Sequence, residues 1–120
     1  MLIEQALKEA IGDQTSAGAR VHPGLLDQGS DLPAVVFTRI AGAPVASADG
    51  QNELVNARFQ VDCFAVTYAA AKTLANAIRS TLDATAGGLK AVCEGEIDFY
   101  DDAPRTYRVS LDFSCWFTES

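Results

Sequence analysis

Between Ala57 and Leu82 the spacing of apolar residues changes from two to about 3.6, within a few positions. Ala57, Phe59, Val61, Cys63 and Ala65 alternate with Arg58, Gln60 and Asp62, the pattern of a strand with one buried face. Thr67 follows as a helix N-cap, and Ala71, Leu74, Ala75, Ile78 and Leu82 recur at helical spacing until Gly87 and Gly88 stop the run. The chain therefore passes directly from a strand into an amphipathic helix.

The other elements are placed around this junction. Ile3, Leu7, Ala10 and Ile11 form an apolar stripe on a short first helix that Gly12 is expected to end. A polar connection from Asp13 to Pro33 precedes a β-branched and aromatic run, Ala34 to Ile40, which predicts a strand. Gly42 to Asn56 is rich in Gly, Ala, Ser and Asn; at that length it predicts a loop that is mobile or engaged with a partner. Beyond the second helix, Ala91, Cys93, Ile97 and Phe99 alternate with Val92, Glu94, Glu96 and Asp98, with Gly95 marking a bulge. Tyr100 to Thr106 reads as a turn. The last strand puts Tyr107, Val109, Leu111, Phe113, Cys115 and Phe117 on one face, and Arg108, Ser110, Asp112, Ser114 and Thr118 on the other, where Trp116 interrupts the polar set. Two helices on one face of a mainly antiparallel four-stranded sheet, an α+β fold, buries these faces with the fewest layers.

Composition narrows the function classes. The 120 residues make one domain, 1–120, and with 48% apolar and 21% charged residues the chain has ample core and is not disordered. Its net charge of −7 argues against a surface that tracks nucleic-acid phosphates, which needs clustered Lys and Arg. Neither a basic leader ahead of an apolar run nor a membrane-length apolar stretch is present, so cytosolic synthesis and folding are expected. Cys63, Cys93 and Cys115 are odd in number and lie in strand patterns, which suits buried reduced thiols.

Little catalytic chemistry is encoded. His22 is the only histidine, and with Ser16, Ser30 and Asp27 it lacks a nucleophile-elbow context. The three cysteines and His22 lack the close ligand pairs of a structural zinc site. Glu94, Glu96 and Asp98 are expected on one strand face with Asp101 and Asp102 beyond; ligands two apart on a straight strand diverge, so a solvated face is favoured over a cation site. Phe64 and Trp116 lie opposite the core face as candidate interface anchors. Arg58, Asp62, Arg108 and Asp112 share that face and are placed to pair across strands.

A set of short runs adds a family. His22-Pro23-Gly24, Leu32-Pro33-Ala34, Ile40-Ala41-Gly42, Val61-Asp62-Cys63-Phe64-Ala65, Tyr68-Ala69, Leu74-Ala75 and Tyr107 to Trp116 together resemble the tail-completion, or tail-terminator, proteins of long-tailed bacteriophages and prophages. The likeness covers nearly the whole chain, mostly at core and turn positions. It implies a structural virion protein of the neck, made in the host bacterial cytoplasm. Such a protein forms a ring of six copies that ends the tail tube and joins it to the head-side connector. It also implies no enzymatic activity and no cofactor, with further copies, the tail-tube protein and the connector as partners and DNA only as passing cargo. A head-closure or connector subunit is the alternative within that class, and a monomeric small-ligand-binding module the alternative outside it. In a ring, Glu94, Glu96, Asp98, Asp101 and Asp102 are expected to give an acidic lumen that repels DNA phosphates. Val45, Leu54, Phe64 and Trp116 are the expected subunit contacts.

Overall fold

The computed structural model describes residues 2–14, 20–24, 32–45, 53–83, 88–101 and 106–119. In chain order these form α1 (Ile3–Gln14), β1 (Val21–Pro23), β2 (Ala34–Val45), β3 (Glu53–Ala65), α2 (Tyr68–Asp83), β4 (Lys90–Asp101) and β5 (Thr106–Glu119). The strands make one sheet in the order β1-β2-β3-β5-β4. β1 runs parallel to β2, and every other pair is antiparallel. The α+β class and the two helices agree with the sequence pattern, but the sheet has five strands and is mixed. The additional strand, β1, lies in the stretch read as a connection. Its three residues are too few to show a period, and backbone pairing defines it: the Val35 N–H donates to the Arg20 carbonyl at 2.9 Å and the Gly24 N–H to the Phe37 carbonyl at 3.0 Å.

The expected loop from Gly42 to Asn56 is shorter than its composition suggests. The ladder continues through Gly42 opposite Ala57 to Val45 opposite Leu54, and only residues 46–52 lie outside the described residues. Gly, Ala and Pro are weak strand formers alone, but here they pair with β3, which β5 supports on its other side from Glu53 to Ala65. The 13 residues of β3 span about 43 Å at about 3.3 Å each, most of the 51 Å long axis.

Both helices cover the same sheet face. Ile3, Leu7 and Ile11 of α1 and Leu74, Ala75 and Ile78 of α2 are fully buried with Phe59, Val61, Leu111 and Phe113. Phe37 meets Phe59 edge to face at 6.1 Å, a geometry that favours aromatic pairs beyond their burial. Thr67 caps α2 as its position predicts, its hydroxyl accepting from the Ala70 N–H at 3.1 Å. Gly12 does not end α1, which continues to Gln14; a helical glycine costs about 1 kcal/mol relative to alanine, too little to stop a helix anchored by Ile11. The described part of α2 ends at Asp83, ahead of Gly87 and Gly88, and Gly88 takes the left-handed φ of 81° that glycine adopts without a steric penalty.

The largest departure from the expected pattern is on β4. Cys93 pairs with Phe113 and Gly95 with Asp112, so the register shifts at Glu94. The bulge that Gly95 suggested is present, and its consequence is a reversal of faces beyond it. Glu96, Asp98 and Tyr100 stand opposite Leu111, Val109 and Tyr107 on the helix side, and Ile97 and Phe99 face outward. Glu94, Glu96 and Asp98 therefore do not share one face. Glu96 and Asp98 are held by α2 instead: the Lys72 ammonium bonds Glu96 and lies 3.4 Å from Asp98, and Arg79 lies 3.7 Å from Glu96. The Tyr68 hydroxyl donates to Asp98 at 2.8 Å, and Tyr100 packs on Tyr107 with ring centroids 4.6 Å apart. These contacts fasten α2 to the sheet's edge strand.

Replacing Thr67 by Ala should cost about 1 kcal/mol of unfolding free energy, read as a lower denaturation midpoint with an unchanged slope. Burial pushes the Cys115 thiol up to about 12 and the Cys63 thiol higher than its ordinary value. A thiol reagent at pH 8 should thus modify only the half-buried Cys93 in the folded protein, and all three cysteines after unfolding. The hydrogen bond to Asp98 raises the Tyr68 pKa. Its contribution to stability is complete below the ordinary tyrosine range and is lost as pH rises through the folded-state value. Spectrophotometric titration of Asp98→Asn should show one tyrosine ionising at lower pH than in the parent; identical curves would contradict the contact.

Candidate functional site

The sheet face opposite the helices carries no helix among the described residues, and its side chains follow from the register. One row across β2, β3, β5 and β4 is Ala34, Phe64, Arg108 and Phe99; the next is Val36, Asp62, Ser110 and Ile97. Ile97 is 61% exposed, Val92 43% and Phe99 41%. Large apolar side chains exposed on one open sheet face make that face the candidate surface for an interaction. They do not point to chemistry on a small substrate, which calls for convergent polar groups in a concavity.

Arg108 is the centre of the first row. Its guanidinium carbon lies 4.2 Å from the Phe99 ring centroid and 6.0 Å from that of Phe64, close enough for cation–π attraction. Its Nε is buried without a hydrogen-bond partner among the described residues. Arg108 therefore does not pair with Asp62, as their shared face suggested. Asp62, only 5% exposed, instead accepts from the Gln60 amide at 3.2 and 3.0 Å. The other expected cross-strand pair is present: Arg58 Nε donates to Asp112 Oδ1 at 3.1 Å, and Arg58 lies 3.7 Å from Glu94. The hydrogen bond to Asp112, followed by its charge, raises the Arg58 pKa. This group is exposed, so it orients the side chains more than it stabilises the fold.

The sequence-derived candidates fall into distinct places. Phe64 is half-buried beside Arg108, and Trp116, also half-buried, stands on the same face toward the other end of β5, between Asn56 and Lys90. Leu54 is half-buried, one step diagonally from Trp116, and pairs with Val45, whose side chain lies outside the described set. Glu94 sits at the bulge near Arg58, whereas Glu96 and Asp98 are on the helix side with Lys72. Asp101 pairs with Thr106 through the backbone, and Asp102 lies outside the described residues. His22 pairs with Val36 on the open face, away from Cys63 and Cys115 in the core. Among the described residues no three His, Cys, Asp or Glu side chains cluster to hold a metal ion, and no helix is long and apolar enough to cross a membrane. Sequence alternation missed Ile97 and Phe99 as surface residues. The available signal was Gly95, because a bulge there reverses every assignment after it.

No curated protein matches the chain in sequence. Its fold is similar to that of a chain in the structure of the virion of a native gene transfer agent (GTA) particle. The two are 16% identical with a TM-score of 0.54, over 94% of this chain and 85% of that one. Residues 2–118 match the family described as Tail completion protein gp17, and the chain belongs to that family.

Proposed function

We propose that this protein is a structural component of a phage-like virion, a ring of six copies that terminates the tail tube and joins it to the head-side connector. Family membership across residues 2–118 supports the tail role, and the fold's likeness to a chain of a gene transfer agent virion is consistent with it. The observation that carries the reading is the open sheet face, where Ile97 and Phe99 are exposed beside Arg108 and Val92 is exposed farther along β4. An isolated monomer gains nothing from that arrangement, whereas an assembly subunit buries it. Aromatic residues and Arg are the side chains most enriched at the centres of protein interfaces.

The electrostatics refine the lumen. Lys72 and Arg79 partly neutralise Glu96 and Asp98, and Arg58 attends Glu94. Asp101 and Asp102, where β4 gives way to β5 in sequence, are the carboxylates proposed to face passing DNA. With seven net negative charges per copy, a ring would repel phosphates rather than adhere to them. The protein acts through shape and charge, with no catalytic step and no cofactor. Val45, Leu54, Phe64 and Trp116 belong to the proposed contacts with neighbouring copies and with the tube.

Electron microscopy of the purified protein mixed with tail tubes should show a ring at one end of each tube; bare tube ends would overturn the reading. Ile97→Asp should change the thermal midpoint by no more than about 4 °C, because the side chain is exposed. The same variant should leave tails unjoined to heads in assembling particles. Normal particle yield from Ile97→Asp would remove the open face from the account.

A further inference from the structure

Two stretches of backbone in this sheet lack a neighbour among the described residues. β4 is an edge strand along its whole length, and its part beyond the bulge, Gly95 to Asp101, runs in unbroken register with β5. At the other edge β1 covers only Val35, Val36 and Phe37 of β2, so Thr38 to Val45 pairs with β3 alone, with a register shift between Arg39 and Ala41 and, at Pro44, no N–H to donate. The two open edges are seven and eight residues long. Apart from the half-buried Glu96, both are exposed where their side chains are described: Thr38, Arg39, Ile40 and Ala41 on β2, and Gly95, Ile97, Asp98, Phe99 and Tyr100 on β4. Long unpaired edges are templates for pairing with another strand unless something blunts them.

Direction and charge select the partner. β2 is antiparallel to β3, β3 to β5 and β5 to β4, so β4 runs opposite to β2. A second copy in the same orientation therefore has its β2 antiparallel to β4, and because Gly95 to Phe99 stand level with Thr38 to Ala34, it must be displaced along the strands for the two open edges to meet. Charge favours the same arrangement. β4 carries Glu94, Glu96, Asp98 and Asp101 against Lys90 alone, whereas Thr38 to Val45 contains no acid and one base, Arg39. Pairing β4 with β4 of a two-fold-related copy would set carboxylates against one another, which is destabilising. Pairing β4 with β2 avoids that.

We propose that copies of this protein join head to tail by pairing the Gly95–Asp101 edge of one with the Thr38–Val45 edge of the next, continuing the sheet from subunit to subunit. The inference rests on the ring reading, since a contact between two different edges closes into a ring or grows without limit. It adds the strands that make the contact. In such a sheet Ile97 of one copy and Ala41 of the next lie on the same face.

Disulfide trapping on assembled tail tubes tests it, in a Cys93→Ser background so that β4 carries no other thiol. Ile97→Cys protein is mixed with Ala41→Cys protein under mild oxidation and separated without reductant. Mixed dimers are expected at least about ten-fold over Ile97→Cys homodimers. Rings that form without mixed dimers, or that trap Ile97→Cys homodimers instead, overturn the strand pairing and leave the ring reading standing; tubes without rings overturn both. As a second reading, Arg39→Glu, on the same face as Glu96 and Asp98, should abolish rings while Arg39→Lys retains them, and equal behaviour of the two would contradict the charge argument.

Discussion

Side chains on a strand alternate between faces, so one additional residue in a ladder reverses every position beyond it. At Glu94 of β4 this constraint organises the molecule. Before the bulge, Ala91 and Cys93 point toward the helices and contribute to the core or its rim. After it, the helix side receives Glu96, Asp98 and Tyr100, which bind Lys72 and Tyr68 of α2 and stack on Tyr107, while Ile97 and Phe99 turn to the open face. Gly95 itself does not force the bulge. A Cβ there would meet no heavy atom within 4 Å. The polar flank of α2 instead supplies partners that carboxylates fit and apolar side chains do not, and the displaced apolar residues become the surface available for assembly.

Much of the fold was legible because its central elements keep one period. β3 and β5 alternate without interruption over their paired length, so Phe59, Val61, Leu111 and Phe113 identified themselves as core, and Phe64 and Trp116 as residues of the opposite face. The junction at Thr67 was readable for the same reason, since a capping hydroxyl sits between two clean patterns. What the sequence concealed is tertiary in origin. β1 is three residues long and exists through its pairing with β2, and the outer ends of β2 and β3 are made of residues that become strand only within a ladder. On β4 the alternation counted straight through Gly95 gives Ile97 and Phe99 to the core, and the coordinates give them to the surface. The pairing of Arg58 with Asp112 followed from their positions on neighbouring strands. The stacking of Arg108 on Phe99 did not, because it depends on the reversed parity of β4.

The resulting molecule has two unlike sides. One is a closed layer in which α1 and α2 bury the core and lock the edge strand. The other is an open sheet with exposed apolar residues, an arginine held between aromatic rings and edges that lack a full-length neighbour among the described residues. The family match assigns the chain to tail completion proteins, and this division of labour suits the proposed ring subunit, which would be covered by copies of itself and by a tube. The acidic balance fits the same proposal, since a ring through which DNA would pass works best when it does not hold phosphate.

Assembly is proposed to cover the open face and the β4 edge while the helical layer stays as it is. Amide hydrogen exchange of β4 and α2, compared between the free protein and tube-bound protein, tests this most directly. The account predicts that amides from Gly95 to Asp101 become strongly protected on assembly and that those of α2 change little. Protection gained on α2, with β4 exchanging as fast as in the free protein, would contradict it.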